Sequence, residues 1–268
     1  MVAMEAEYEE RYCAFIDILG FGELIGKLQS GGTPLHILRE LLSKIHNSPP
    51  TNAGALARSD FRAQSISDAV ALSAATNAAG LGAIIHSVNQ LAVDLLTQGV
   101  FIRGALVKDR LYHDDKMVFG NALVRAYRLE STVVRYPRVM VTREVAEDVR
   151  GIDEKTFNQL LRRSDDGPMF VHVLRAIEIA ALPAALGTKE TRRLRIDNAK
   201  FAGKRSQYAC IVGQLQRRFD EATDNPNHFE KVKWFANYWN ETISEWEIEG
   251  FKRVTGPGLE PKPAAWGD

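Results

Sequence analysis

The chain has 268 residues, 45% hydrophobic and 25% charged, the proportions of a soluble globular protein whose core needs no disulfide or metal staple. Lys plus Arg and Asp plus Glu each number 34, and this zero net charge argues against a protein governed by attraction to nucleic acid or anionic membranes. Two cysteines, Cys13 and Cys210, are too few for a disulfide framework or a four-thiolate zinc site and fit a reducing cytoplasm.

In chain order, the N-terminal segment MVAMEAEYEERY is acidic where a secretory leader would be basic and then apolar. No stretch reaches the ~18 unbroken apolar residues of a membrane span. Tyr12–Leu19 (YCAFIDIL) is β-prone and reads as a central strand, broken by Gly20 and Gly22. Leu35, Leu38, Leu41, Leu42 and Ile45 fall at helical spacing, which predicts a helix over 35–46. Residues 61–73 read as a hairpin turning at Ser67–Asp68, and residues 79–98 as a long amphipathic helix stopped by Gly99. Strands are expected at 100–108, 117–120 and 138–142, and helices at 121–131 and 143–149. The order β-α-β-β-α-β-β-α-β predicts an α+β, α/β-sandwich fold with a ferredoxin-like core. Beyond it, residues 169–180 read as a last strand, 188–223 and 227–248 as two long helices, and 251–268 as a flexible tail rich in Gly and Pro. The expected organisation is therefore a catalytic domain over 11–150, a strand and two helices over 151–250, and the tail.

The chemistry concentrates in two carboxylates. Asp17 lies between Ile16 and Ile18 inside an apolar strand, where a charge is costly unless compensated. It is either a strand-end aspartate capping a turn or a ligand beside the Gly20–Gly22 loop, whose backbone N–H groups would approach an anion. Asp68 stands at the hairpin turn, where aspartate is also common for local reasons. If the two meet at one end of the sheet, they supply hard oxygen ligands for a pair of divalent cations, Mn²⁺ or Mg²⁺.

Four motifs in order resemble the class III adenylyl/guanylyl-type nucleotide cyclases. FIDILGF (15–21) resembles that family's first metal strand, F-x-D-I-x-G-F, and ISDAVAL (66–72) its second metal hairpin, with Ser67 where Gly is usual. FIRGALV (101–107) resembles the R-x-G-I strand, and FGNALVRAYRL (119–129) the helix W-G-x-x-V-N-x-A-S-R-M. The likeness covers about residues 11–150. It implies two metals held by Asp17 and Asp68 with the Ile18 carbonyl. It further implies a phosphate cradle from the amides of Ile18 to Phe21, with Phe15, Leu19, Gly20 and Phe21 lining the substrate. The implied reaction is attack of the ribose 3′-hydroxyl on the α-phosphate, giving a 3′,5′-cyclic nucleotide and pyrophosphate.

In the same alignment Arg128 takes the transition-state arginine position. Val124 stands where the family has Asn, Arg125 is a substitute candidate, and Asn121 either joins the site or caps the helix. The alternative for Arg125 and Arg128 is a solvated face shared with Glu130. Gln64 and Met117 occupy the two base-reading positions, so the purine-reading pair is missing. A smaller base read by the Gln64 amide, by Arg103 or by a tyrosine is expected. In this the chain is similar to the pyrimidine cyclases of bacterial antiphage (Pycsar) systems, which implies UTP as substrate and cyclic UMP as product, with CTP as the alternative. The family builds its sites between two catalytic domains, which implies a homodimer. The aromatic residues Trp234, Phe235, Tyr238, Trp239 and Trp246 either extend that dimer or pack on their own domain. The basic run from Lys189 to Arg218 is read as a solvated face rather than a nucleic-acid surface. The competing readings are a non-catalytic nucleotide-sensing module on the same fold and another phosphoryl-transfer enzyme on a ferredoxin-like palm, the diguanylate-cyclase kind, whose G-G-D-E-F turn is absent. The six scattered histidines show no metal-ligand spacing.

Overall fold

A computed structural model of the chain describes residues 7–22, 25, 26, 43, 59–174, 202–245 and 252–259. The chain divides into two compact units, one of residues 1–94 and 100–173 and one of 95–99 and 174–268.

The first unit is built on β1 (Glu9–Leu19), β2 (Arg62–Ile66), β3 (Ala69–Ala75), β4 (Phe101–His113), β5 (Val118–Phe119), β6 (Val139–Val141), β7 (Leu161–Arg163) and β8 (Met169–Val171). Its helices are α1 (Ala78–Leu96, whose last two residues belong to the other unit), α2 (Asn121–Thr132), α3 (Arg143–Ile152) and α4 (Glu154–Leu160). The sheet order is β2-β3-β1-β4-β6-β8-β7, with β5 paired to β4. Its first four strands, in the order 2-3-1-4 and antiparallel throughout, are those of a ferredoxin-like fold, as expected. The helix expected over 35–46 lies outside the described residues except for Ser43.

Strand alternation sorts β1 onto two faces. Ala14, Ile16 and Ile18 point one way and are buried, with Val70, Leu72 and Leu106 of the neighbouring strands on the same side. Arg11, Cys13, Phe15 and Asp17 point the other way. There Cys13, Val107 and Leu111 pack with Ala122 and Ala126 of α2, flanked by Phe15, Val118, Leu123 and Leu129. Burial pushes the Cys13 thiol up to about 12, so it is a core residue and no nucleophile. Helix α1 is the one described helix long and apolar enough to cross a membrane, and 72% of its most apolar window is buried within the protein.

The structure departs from the sequence reading at several places. β1 starts at Glu9 and β4 runs to His113, because their charged outer residues find partners. Lys108 pairs with Asp148 at 3.0 Å, and Arg110 lies over the Tyr8 ring. Residues 151–173 do not belong to the C-terminal segment. They add α4, β7 and β8 to the first unit, and β8 pairs with β6. Helix α4 was hidden by its brevity; Asp153 starts it, its carboxylate accepting the Thr156 amide at 2.7 Å. The last strand is Met169–Val171 and does not continue to 180, since residues 173 and 174 are helical.

The second unit contains α5 (Ala202–Glu221) and α6 (Pro226–Glu245). Residues 188–201 of the first expected helix, most of the basic run, Trp246 and residues 246–250 lie outside the described residues. Phe235, Tyr238 and Trp239 are buried, Trp239 completely, so these aromatics pack on their own unit. Residues 252–259, expected in the flexible tail, are held. Trp239 Nε1 donates to the Lys252 carbonyl, Asn240 exchanges two bonds with Val254, and Gln216 two with Thr255.

Four strands of the first unit are tied at one end by a polar network. Arg11, 2% exposed, donates to Ser73 Oγ, Glu9 and Asp60. Ser73 Oγ meets His113 Nδ1 at 2.8 Å, and Arg62 donates to the His113 carbonyl and pairs with Asp60. Burial and the two arginines push the His113 pKa down to about 4, against weaker pulls from Asp114 and Asp60. The unfolded chain therefore binds a proton on His113 that the folded chain refuses. Stability falls as pH drops from about 6.5 to about 4, by about 3 kcal/mol for this group at about 1.4 kcal/mol per unit. We expect urea melts of His113→Asn to lose correspondingly less stability than wild type between pH 7 and pH 4.5; equal losses would remove His113 from the account.

Candidate functional site

Asp17 and Asp68 meet through the backbone. Asp17 pairs in register with Ala69 of β3 on one side and Arg103 of β4 on the other. Asp68 is the next residue back from Ala69, at the second position of the hairpin turn. The Ile18 amide donates to the Asp68 carbonyl at 3.0 Å, which continues the β1–β3 ladder into the turn. Two residues 51 apart in sequence are thus fixed side by side at one sheet end. That amide is already committed and Leu19 is still paired with Phe101 of β4, so a cradle over Ile18–Phe21 has the amides beyond the end of β1 to offer. Gly20 occupies the turn directly after β1, and Phe21 and Gly22 begin a helical turn. Glu23 and Leu24 lie outside the described residues.

Arg103 completes the cluster. Its Nη2 donates to Asp17 Oδ2 at 3.2 Å and makes a still closer ion pair with Glu130 Oε1 of α2. Arg103 therefore faces the carboxylates. The following residue, Gly104, is required by packing: a Cβ there would stand 2.4 Å from the Phe15 carbonyl oxygen. Glu130 is 3% exposed and so does not share the solvated face on which Arg125 and Arg128 are exposed. Burial pushes its carboxyl pKa up against the pull of Arg103, with Asp17 and Asp68 adding to the rise. Glu130 is the residue that sequence reasoning misplaced. The signal was present: Ala122, Ala126 and Glu130 recur every four residues, on the stripe that faces the sheet.

Among the described residues the cluster brings three carboxylates, Asp17, Asp68 and Glu130, near the Arg103 guanidinium. An all-oxygen donor set of this kind would suit Mg²⁺ or Mn²⁺. Among the described residues no three His, Cys, Asp or Glu side chains converge as a ready-made cage. A cation here would draw on Asp17, Asp68 and main-chain carbonyls, that of Ile18 among them.

The other expected residues fall into two groups. Gln64 and Met117 come together: Gln64 Nε2 donates to the Lys116 carbonyl at 3.2 Å, while its Oε1 is buried without a partner. Met117 is 49% exposed beside it, and its amide and that of Lys116 both donate to Asp114 Oδ1. Phe15 stacks edge-on against Tyr127 of α2 at 5.5 Å. On α2, Asn121 does not cap. Gly120 is the N-cap, without a side-chain bond, and its φ of 138° and a Cβ clash with the Arg110 carbonyl exclude other residues there. Arg125 turns toward α3, paired with Glu144 at 2.6 Å. Arg128 is exposed and makes no ion pair with a described residue.

No protein-family model and no curated protein matches the chain. Several solved structures do. The monomeric guanylyl cyclase domain of the RhoGC fusion protein from the aquatic fungus Blastocladiella emersonii is 15% identical over 62% of this chain and 97% of its own, with a TM-score of 0.41. The catalytic core of a rhodopsin–guanylyl cyclase with converted specificity, in complex with ATPαS, is 16% identical over 62% and 98%, with a TM-score of 0.41. An adenylate/guanylate cyclase/hydrolase from Silicibacter pomeroyi is 14% identical over 61% and 95%, with a TM-score of 0.36.

The hairpin turn carries a measurable strain. Ser67 has φ +57°, a conformation that glycine adopts without penalty. Ser67→Gly should raise stability by about 0.5–1 kcal/mol, a Tm increase of roughly 1–4 °C for a unit of this size. An unchanged or lower Tm in a calorimetric scan would show that the serine side chain compensates the strain.

Proposed function

We propose that the protein is a pyrimidine nucleotide cyclase, converting UTP to 3′,5′-cyclic UMP and pyrophosphate. The observation that carries this reading is the convergence of the first three motifs. The Ile18–Asp68 bond sets the two aspartates side by side, Arg103 joins them, and Gln64 and Met117 meet two strand positions away on the same face. The reaction forms a bond from the ribose O3′ to the α-phosphorus and breaks the bond from that phosphorus to the bridging oxygen. The 3′-hydroxyl loses its proton, and pyrophosphate leaves.

Asp17 and Asp68, with the Ile18 carbonyl, would hold two divalent cations. Bound there, these would acidify the 3′-hydroxyl and neutralise the triphosphate. The amides of Gly20 and Phe21, beyond the end of β1, receive the outer phosphates. Arg128, uncommitted on α2, supplies the charge that stabilises the transferring phosphoryl group, whereas Arg125 is held by Glu144. Gln64 offers its unpartnered Oε1 to a base N–H, and exposed Met117 covers the ring. A pyrimidine fits this pairing better than a purine, which the family reads with a charged residue. The N4 amino group of cytosine would serve Gln64 as well as N3–H of uracil, so cyclic CMP is the alternative product.

The apolar residues Val124 and Tyr127 of α2, with Met117 and Phe119, are about half exposed. They give a second copy of the chain a surface to cover, and a homodimer sharing its sites follows. We further propose that the cyclic nucleotide is a second messenger of antiphage defence, made in the cytoplasm. One observation favours a non-catalytic sensing module instead: Val124, where the family has Asn, is exposed and brings no polar group to the site.

Purified protein incubated with Mn²⁺ and each of ATP, GTP, CTP and UTP, with products resolved by mass spectrometry, should yield cyclic UMP. Cyclic AMP or GMP would sink the pyrimidine reading, and no product from any of the four would favour the sensor. Asp17→Ala and Asp68→Ala should abolish turnover with the circular-dichroism melt retained. Arg128→Ala should lower kcat by about 10²-fold or more with little change in KM, the mark of a contact made only in the transition state.

A further inference from the structure

We infer that Glu130 is a positioning residue that holds the Arg103 guanidinium partly off Asp17, keeping that carboxylate available to a cation. The inference rests on the reading of Asp17 as a cation ligand. Its observation is that one nitrogen, Arg103 Nη2, serves both Asp17 and Glu130, and that Glu130 has the closer contact.

Arg103 is the direct cross-strand partner of Asp17, so their side chains leave the sheet within about 5 Å of each other. Left alone, such a pair would close into a full carboxylate–guanidinium bridge. Asp17 would then be neutralised, and any cation would have to displace an arginine with nowhere else to go. Glu130 provides the other place. It descends from α2 on the stripe of Ala122 and Ala126, whose short side chains bring the helix close to β4. Its carboxylate side chain is 5% exposed, against about 20% for Arg103 and Asp17. An uncompensated charge that deep is expensive, so Arg103 stays with Glu130 in either state. Arg103 Nε is buried without a hydrogen-bond partner, so the guanidinium is held by its Nη2 end and swings with little to break. Binding a cation at Asp17 then leaves the buried Arg103–Glu130 pair intact.

The test is Mn²⁺ binding to the full chain, read from the electron paramagnetic resonance signal of free Mn²⁺, without nucleotide. Glu130→Gln keeps the shape and removes the counter-charge; Arg103 should close on Asp17 and weaken Mn²⁺ binding about tenfold, a coupling typical of a close charge pair. Removing the arginine as well, in E130Q/R103Q, should bring affinity back to within about threefold of wild type, a rescue that a merely structural role would not give. The inference is overturned if E130Q binds Mn²⁺ like wild type, or if the double variant is as weak as E130Q. Should E130Q not fold by circular dichroism, Glu130→Asp carries the test; one methylene short, it should weaken binding, and wild-type affinity would overturn the inference. The outcomes separate from those of the cyclase reading. A Mn²⁺ cycle that behaves as described with no cyclic product from any nucleotide leaves this inference standing and removes the enzyme. Cyclic product from wild type with E130Q binding Mn²⁺ normally does the reverse. No Mn²⁺ binding by wild type removes both.

Discussion

The site depends on one backbone hydrogen bond, from the Ile18 amide to the Asp68 carbonyl. It extends the pairing of β1 and β3 past the last strand residue and into the turn. Without it, a two-residue hairpin end would be free to twist away, and Asp68 with it. Because β1 is paired on both edges, the bond also fixes Asp68 relative to β4, where Arg103 stands opposite Asp17. Three strands therefore contribute to the cluster through a register that cannot slip. A shift of one residue would move Asp17 to the face of Ile16 and Ile18, into the core.

The sequence displayed the frame and most of the cluster because both follow from short-range patterns. An acidic residue inside an apolar strand, Asp17, is anomalous by itself and needs no partner to be noticed. The Ser67–Asp68 turn is legible from the apolar runs on either side, and β4 from its own apolar run. Glu130 was not legible in the same way. A charged residue on a helix that also carries Arg125 and Arg128 is ordinary, and its burial depends on the tilt of α2 against β1 and β4. The close approach of α2 is allowed by Ala122 and Ala126, small residues whose effect appears only when the elements are packed. Arg11 escaped for a related reason. In sequence it belongs to an acidic, exposed-looking segment, and only the approach of Asp60, 49 residues away, lets it enter the core.

Helix α2 carries two kinds of residue on two faces. Inward, Ala122, Ala126 and Glu130 meet the sheet. Outward, Val124, Tyr127 and Arg128 are exposed. A monomer gains nothing from an exposed valine and tyrosine beside an uncommitted arginine. The arrangement makes sense where the outward face is covered by another molecule and the arginine has an anion to meet. The same outward apolar character recurs at Met117 and Phe119, on the segment whose Lys116 carbonyl accepts from Gln64.

The two ends of this sheet face show how one set of strands makes both a lock and a receptor. Arg11 and Asp17 lie on the same face of β1, and His113 and Arg103 on the same face of β4. At the Arg11 end two arginines face Glu9 and Asp60, the charges cancel, and His113 is kept neutral by its burial and by the arginines beside it. That end is complete and serves stability. At the Asp17 end one arginine faces three carboxylates among the described residues, and burial pushes the Glu130 carboxyl toward its neutral form against the pull of that arginine. Nothing in folding requires such an imbalance, and an apolar residue in place of Glu130 would avoid its desolvation cost. This contrast between the two ends of one face, among the described residues, is what the proposed cation site rests on.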